Sequence, residues 1–148
     1  MFVNVKISKM TMRVLIVTDI FGKTDSLMKI ANSLPGNIHV LDPYSAKDMG
    51  FKTEDQAYQH FNRCVGIVEY SNQLISCLSA IQEPVYLIGF SVGATAIWNV
   101  SDEPAFKNLI IGASCFYGSK IRESSNIAPH FPITLIWPKS EATFSIPN

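Results

Sequence analysis

The chain has 148 residues, enough for one domain with a real core. Hydrophobic residues make up 47% and charged residues only 16%, a balance suited to a sheet whose strands are covered on both faces. Twelve basic and twelve acidic residues cancel, and no basic stretch stands out, which disfavours nucleic acid and anionic membrane as partners.

Residues 1–12 read as an edge strand or a leader, with Phe2 and Asn4 set against Val3, Val5 and Ile7. The opening residues carry no apolar core and no cleavage site of a signal peptide. No apolar run approaches a membrane-spanning length. The expectation is one domain over residues 1–148 in the cytoplasm. Cys64, Cys77 and Cys115 are odd in number and widely spaced, which reads as buried free thiols in a reducing compartment. Near-zero charge and apolar bias are compatible with a homo-oligomer.

Arg13 to Thr18 is a buried strand, and Asp19-Ile20-Phe21-Gly22 is the loop at its carboxyl end. Thr24 or Asp25 caps a helix through Leu27, Ile30, Ala31 and Leu34, and Pro35-Gly36 stops it. Asn37 to Leu41 is a second strand. Residues 53–82 carry helical periodicity, with a stripe of Tyr58, Phe61, Val65 and Val68 continued by Ile67, Leu74, Leu78 and Ile81. Gly66 marks a kink or a break between two helices. A strand over Val85 to Phe90 precedes a helix running to about Val100. Leu109 to Ala113 and Ile133 to Trp137 are the last two strands, and Ser119 to Pro132 between them reads as loop. This alternation predicts an α/β fold: a doubly wound, mostly parallel sheet of about five strands with right-handed crossovers.

The sequence from Val85 to Ala96 is VYLIGFSVGATA. It is an apolar run, then G-x-S-x-G, then a small-residue helix start, which is how a nucleophile elbow reads. The elbow puts its serine in a strained backbone position, so that the hydroxyl stands clear. Gly89 and Gly93 suit the close approach of strand and helix, where a Cβ would clash. The Val92 N–H would sit at the helix N-terminus, where a donor can stabilise an oxyanion. The five-residue pattern is degenerate and also arises by chance, but the flanking strand and helix are the context the motif requires.

Three strand ends thus carry candidate groups on one rim: Asp19, Ile20 and Phe21 after the first, Ser91 after the third, and Glu141 after the last. Together with Cys115-Phe116-Tyr117-Gly118, these segments resemble the dienelactone hydrolase family of α/β-hydrolases from about Arg13 to Glu141. The resemblance implies an α/β-hydrolase-like fold lacking the usual C-terminal strand and helix. It implies Ser91 as nucleophile, where the family's name-giving enzymes use cysteine. It implies the N–H groups of Val92 and Ile20 as the oxyanion hole. Asp19 matches an acidic position that contacts the nucleophile, and Glu141 matches the triad acid that orients a histidine. Plainer roles stand beside these: Asp19 as a loop cap, Glu141 as a solvated acid, and Tyr117 as core packing with its hydroxyl at the rim. Phe21 and Trp137 read as pocket walls or core.

The triad order in such folds is serine, acid, histidine. After Glu141 the sequence holds only residues 142–148, none of them histidine. His39 lies in a strand, His60 on the solvated side of a helix, and His130 at the amino end of the last strand, so none fits the base. A lost C-terminal segment, a base from a second subunit, and a degenerate hydrolase all account for this. The expected function is hydrolysis of a small ester, thioester or lactone through a serine acyl-enzyme, with no metal or organic cofactor implied. The alternative is a non-catalytic small-molecule-binding or interaction protein on the same scaffold. A nucleotide-binding protein is a third reading, disfavoured because no GxGxxG or P-loop follows the first strand.

Overall fold

The computed structural model describes residues 12–138. The segment read as an edge strand or leader, up to residue 11, lies outside the described residues, as does Glu141. Strands and helices alternate as β1 (Arg13–Val17), α1 (Asp25–Ser33), β2 (Asn37–Leu41), α2 (Glu54–Cys64), α3 (Gly66–Ser79), β3 (Val85–Phe90), α4 (Val92–Val100), β4 (Ile110–Phe116) and β5 (Ile133–Ile136). Short 3-10 helices over Pro104–Phe106 and Ser119–Ser124 flank β4. The five strands form one sheet in the order β2-β1-β3-β4-β5, with every pair parallel. The doubly wound α/β sheet expected from the alternation is therefore the fold.

The strand order explains where the helices lie. The chain moves outward from β1 to β2, then returns past β1 to β3 and continues to β4 and β5. Right-handed crossovers in opposite directions place their helices on opposite faces. Accordingly α1 packs Leu27 and Ala31 on Val14 and Ile16 of β1. On the other face Phe61, Tyr70, Leu74, Leu78 and Ile97 cover Leu15, Val17, Val85 and Leu87. Burying each such large apolar side chain is worth about 1.5–3 kcal/mol. Central β1 is buried on both faces, hence its unbroken apolar run, whereas the edge strands β2 and β5 are half exposed.

Local chemistry sets the helix ends. Thr24, not Asp25, is the N-cap of α1, its Oγ1 accepting the Leu27 N–H at 3.2 Å. The periodic stretch over residues 53–82 is two helices, broken at Gly66 with φ +75°. That break resets the helical phase, so the expected stripe fails at Tyr58 and Val68, which are 52% and 73% exposed. Ala57 and Phe61 anchor α2, and Tyr70, Leu74 and Leu78 anchor α3. Cys64 is also exposed, against the expectation of buried thiols; Cys77 is half-buried and Cys115 buried, and all three are free. Among the described residues no helix is long and apolar enough to cross a membrane.

Candidate active site

An open parallel sheet binds ligands beyond the carboxyl ends of its strands, where neighbouring connections diverge. Here that point lies between β1 and β3, because the chain leaves β1 toward one edge and β3 toward the other. The Asp19–Gly22 turn follows β1, and Ser91 follows β3. Between them opens a cavity of about 860 Å³ that both segments line.

Ser91 has φ 54° and ψ −114°, a strained conformation for a residue with a Cβ. Its N–H donates to the Phe116 carbonyl at 2.8 Å, and its own carbonyl accepts the Thr95 N–H at 3.0 Å. The serine is thus tied to β4 on one side and to the first turn of α4 on the other. The two glycines are required sterically. A Cβ on Gly93 would lie 2.1 Å from the Val17 carbonyl oxygen, and one on Gly89 would lie 2.7 Å from the Ala94 Cα. Both clashes are with backbone, so no side-chain rotation relieves them.

The opposite wall is the turn after β1. Asp19 Oδ1 accepts the Phe21 N–H at 2.9 Å, and the Asp19 carbonyl accepts the Gly22 N–H at 3.2 Å. Asp19 therefore does act as a loop cap, while also lining the cavity. Burial pushes its carboxyl above the usual carboxylate range and the Glu54 charge adds to the rise, against the pull of the Phe21 and Gly22 N–H groups. Among the described residues neither the Ile20 N–H nor the Val92 N–H has a hydrogen-bond acceptor. Both residues line the cavity.

Phe21 and Tyr117 also line it. Tyr117 is 44% exposed with φ 61°, so it is not core; its backbone N–H is held by the Ile136 carbonyl at 2.9 Å. Trp137 is not in the wall, and its ring lies under the Arg122 guanidinium at 5.1 Å. Sequence reasoning assigned none of the rest of the lining to a site. Glu54, Tyr58 and Asn62 come from α2, Thr95 and Asn99 from α4, and Lys120 and Glu123 from the 3-10 helix over Ser119–Ser124. Lys120 is bound to Glu123 at 3.0 Å.

The histidines lie elsewhere. His39 is exposed on edge strand β2. The His130 N–H donates to the Ser101 carbonyl at 2.8 Å, at the amino end of β5 and away from the serine's rim. His60 is not on a solvated face as expected: its ring is half-buried, 5.5 Å from that of Tyr44 and 5.4 Å from that of Phe51. The described lining of the cavity includes no imidazole. Burial pushes the Cys115 thiol up to about 12 and keeps it protonated beneath α4, where it donates to the Ala94 carbonyl at 3.8 Å. Among the described residues no group of three or more His, Cys, Asp or Glu side chains is placed to hold a metal ion.

No known family profile matches the chain. A stretch of 62 residues is 40% identical to YczH, an uncharacterized protein of Bacillus subtilis (strain 168). That stretch is 42% of this chain and 29% of YczH, so the match spans under a third of the relative's length. Among solved structures, one from Klebsiella pneumoniae subsp. pneumoniae, assigned by name to the dienelactone hydrolases, superposes with a TM-score of 0.62 at 11% identity. The superposition covers 88% of this chain and 75% of that one. Polyneuridine aldehyde esterase overlaps less, with a TM-score of 0.46 at 16% identity over 72% of this chain and 40% of its own. The chain has an α/β-hydrolase-like fold, similar to that of the Klebsiella protein.

Proposed function

We propose that this chain carries the nucleophile of a serine hydrolase of the dienelactone hydrolase type, acting on a small ester, thioester or lactone. The observation that carries the reading is the strained Ser91, held at the head of α4 over a cavity at the sheet's switch point. Strain of this kind costs about 1–3 kcal/mol and persists only where the surroundings impose it. The steric demands of Gly89 and Gly93 are such an imposition.

In this mechanism Ser91 Oγ attacks the carbonyl carbon and a tetrahedral oxyanion forms. The N–H groups of Val92 and Ile20 donate to that oxygen. The C–O or C–S bond to the leaving group then breaks and leaves an acyl-enzyme, which water cleaves by the same route. The Oγ proton passes to a general base and from it to the leaving group. The resemblance supplies a histidine in that role, oriented by Glu141. Asp19 lies at the cavity as the acidic neighbour of the nucleophile. No metal or organic cofactor enters the scheme.

The test is reaction with an uncharged fluorophosphonate followed by mass spectrometry. Adduct on Ser91, lost in Ser91→Ala, is the expected result. Absence of adduct, together with no turnover of short p-nitrophenyl esters, supports the second reading. That reading is a small-molecule-binding protein on the same scaffold, and the lack of an imidazole in the described cavity wall favours it.

A further inference from the structure

The turn after β1 is braced from outside the cavity. Tyr44, in the loop after β2, donates its hydroxyl to the Ile20 carbonyl at 2.5 Å, the short end of the O–H···O range. Its own backbone is fixed by Asp42, whose Oδ1 accepts the N–H groups of Tyr44 at 2.8 Å and Ala46 at 2.9 Å. Its ring stands edge-on to Phe51 at 5.7 Å and to His60 at 5.5 Å. Glycine at residue 22 suits both the turn and the ring: φ there is +77°, and a Cβ would lie a tight 3.0 Å from the Tyr44 ring. Tyr44 does not line the cavity. It reaches the site only through the peptide it holds.

We infer that Tyr44 is a positioning residue that fixes the Asp19–Gly22 turn so that the Ile20 N–H is presented to the reacting carbonyl. The inference rests on the hydrolase reading above. Three bonds hold the turn from within: the Phe21 N–H donates to the Asp19 side chain, and the Gly22 N–H and Thr18 hydroxyl donate to the Asp19 carbonyl, on the peptide that carries the Ile20 N–H. These bonds are all local to residues 18–22; the Tyr44 hydroxyl, bonded to the carbonyl of Ile20 itself, ties the turn to the loop after β2 and so restrains the residue that carries the N–H. An oxyanion donor works only when preorganised, and losing one costs roughly a hundredfold or more in rate. Loosening its support costs part of that. Burial, with the charges of Asp19 and Asp42, pushes the phenol up to about 12, so the hydroxyl keeps its proton to donate across the working pH range.

The test uses the full chain and two variants, Tyr44→Phe and Phe51→Leu. Tyr44→Phe removes only the hydroxyl, and Phe51→Leu loosens the ring's packing while leaving the hydroxyl in place. Amide hydrogen exchange is followed at Phe21 and Gly22, and fluorophosphonate inactivation of Ser91 is resolved into kinact and KI. Tyr44→Phe is expected to speed exchange at both amides at least about tenfold, with α1 amides unchanged. It is expected to lower kinact about tenfold while KI stays within about twofold. Phe51→Leu is expected to do neither. Unchanged exchange at Phe21 and Gly22 overturns the inference, as does faster exchange with unchanged kinact, or an equal effect from Phe51→Leu. A wild-type chain labelled no faster than Ser91→Ala sinks the hydrolase reading instead, and the exchange data then decide Tyr44's hold on the turn.

Discussion

Ser91 and Asp19 are both held at a cost to the fold, for different reasons. Ser91 is held at φ 54° by the turn, and glycine would adopt that conformation freely. Ser91→Gly is expected to stabilise the protein by about 1 kcal/mol, the relieved strain less glycine's greater chain entropy. Urea unfolding measures this, and labelling at position 91 should vanish in the same variant. Asp19 carries a carboxyl held above its usual range by burial, so the folded state binds its proton more tightly than the unfolded chain. Its contribution to stability is present at low pH and is lost as pH rises through the raised folded value. Asp19→Asn keeps an acceptor for the Phe21 N–H and removes the titration. The melting temperature of the variant minus that of wild type should therefore grow with pH across that window and then level off. A flat difference would show that burial of the charge costs nothing. The elbow was legible in the sequence because its glycines are needed for steric reasons that residue type and spacing express. Tyr44 was not, because its partner is a main-chain carbonyl brought near by the path of two loops.

At the level of elements, the strands and α1 were legible because their apolar runs and turn residues act over a few neighbours. The stretch over residues 53–82 was only half legible. Its composition is helical throughout, but Gly66 breaks the phase, and the two helices bury faces set independently. The 3-10 helix over Ser119–Ser124 escaped the sequence because its residues other than Ile121 are polar, and among those whose burial is described Ile121 alone is buried. The more consequential tie between elements is a single phenol. Tyr70 on α3 is fully buried, and its hydroxyl donates to the carbonyls of Thr18 at 2.8 Å and Leu41 at 3.2 Å. It thereby joins the carboxyl ends of β1 and β2 to the helix layer. Tyr70→Phe should cost about 1–3 kcal/mol in denaturant unfolding, because it strips the donor from the buried Thr18 carbonyl, whereas the Leu41 carbonyl keeps the Thr18 N–H at 3.0 Å. A loss below the error of the measurement would mean that the Thr18 carbonyl is satisfied otherwise.

At the scale of the whole molecule, net neutrality hides an uneven cavity. Asp19, Glu54 and Glu123 line it, and the one lysine in its described wall, Lys120, is bound to Glu123. The local field is negative, so an ester bearing a carboxylate should react more slowly than an uncharged ester of the same size. Raising the salt concentration should narrow the gap by screening the exposed carboxylates. Paired p-nitrophenyl esters at low and high salt test this, and equal rates at low salt would rule it out. Overall charge could not foretell the cavity's sign, which depends on three segments meeting at one rim. The fold class, by contrast, was legible from alternation alone. The tie from Tyr44 also has a bearing on how the molecule fails. The elbow is built on β3, between two hydrogen-bonded neighbours, whereas the turn opposite is propped by a loop leaving edge strand β2. Edges fray first. On gentle warming, reactivity at Ser91 should fade before the sheet melts, as one jaw slackens while the other keeps its grip.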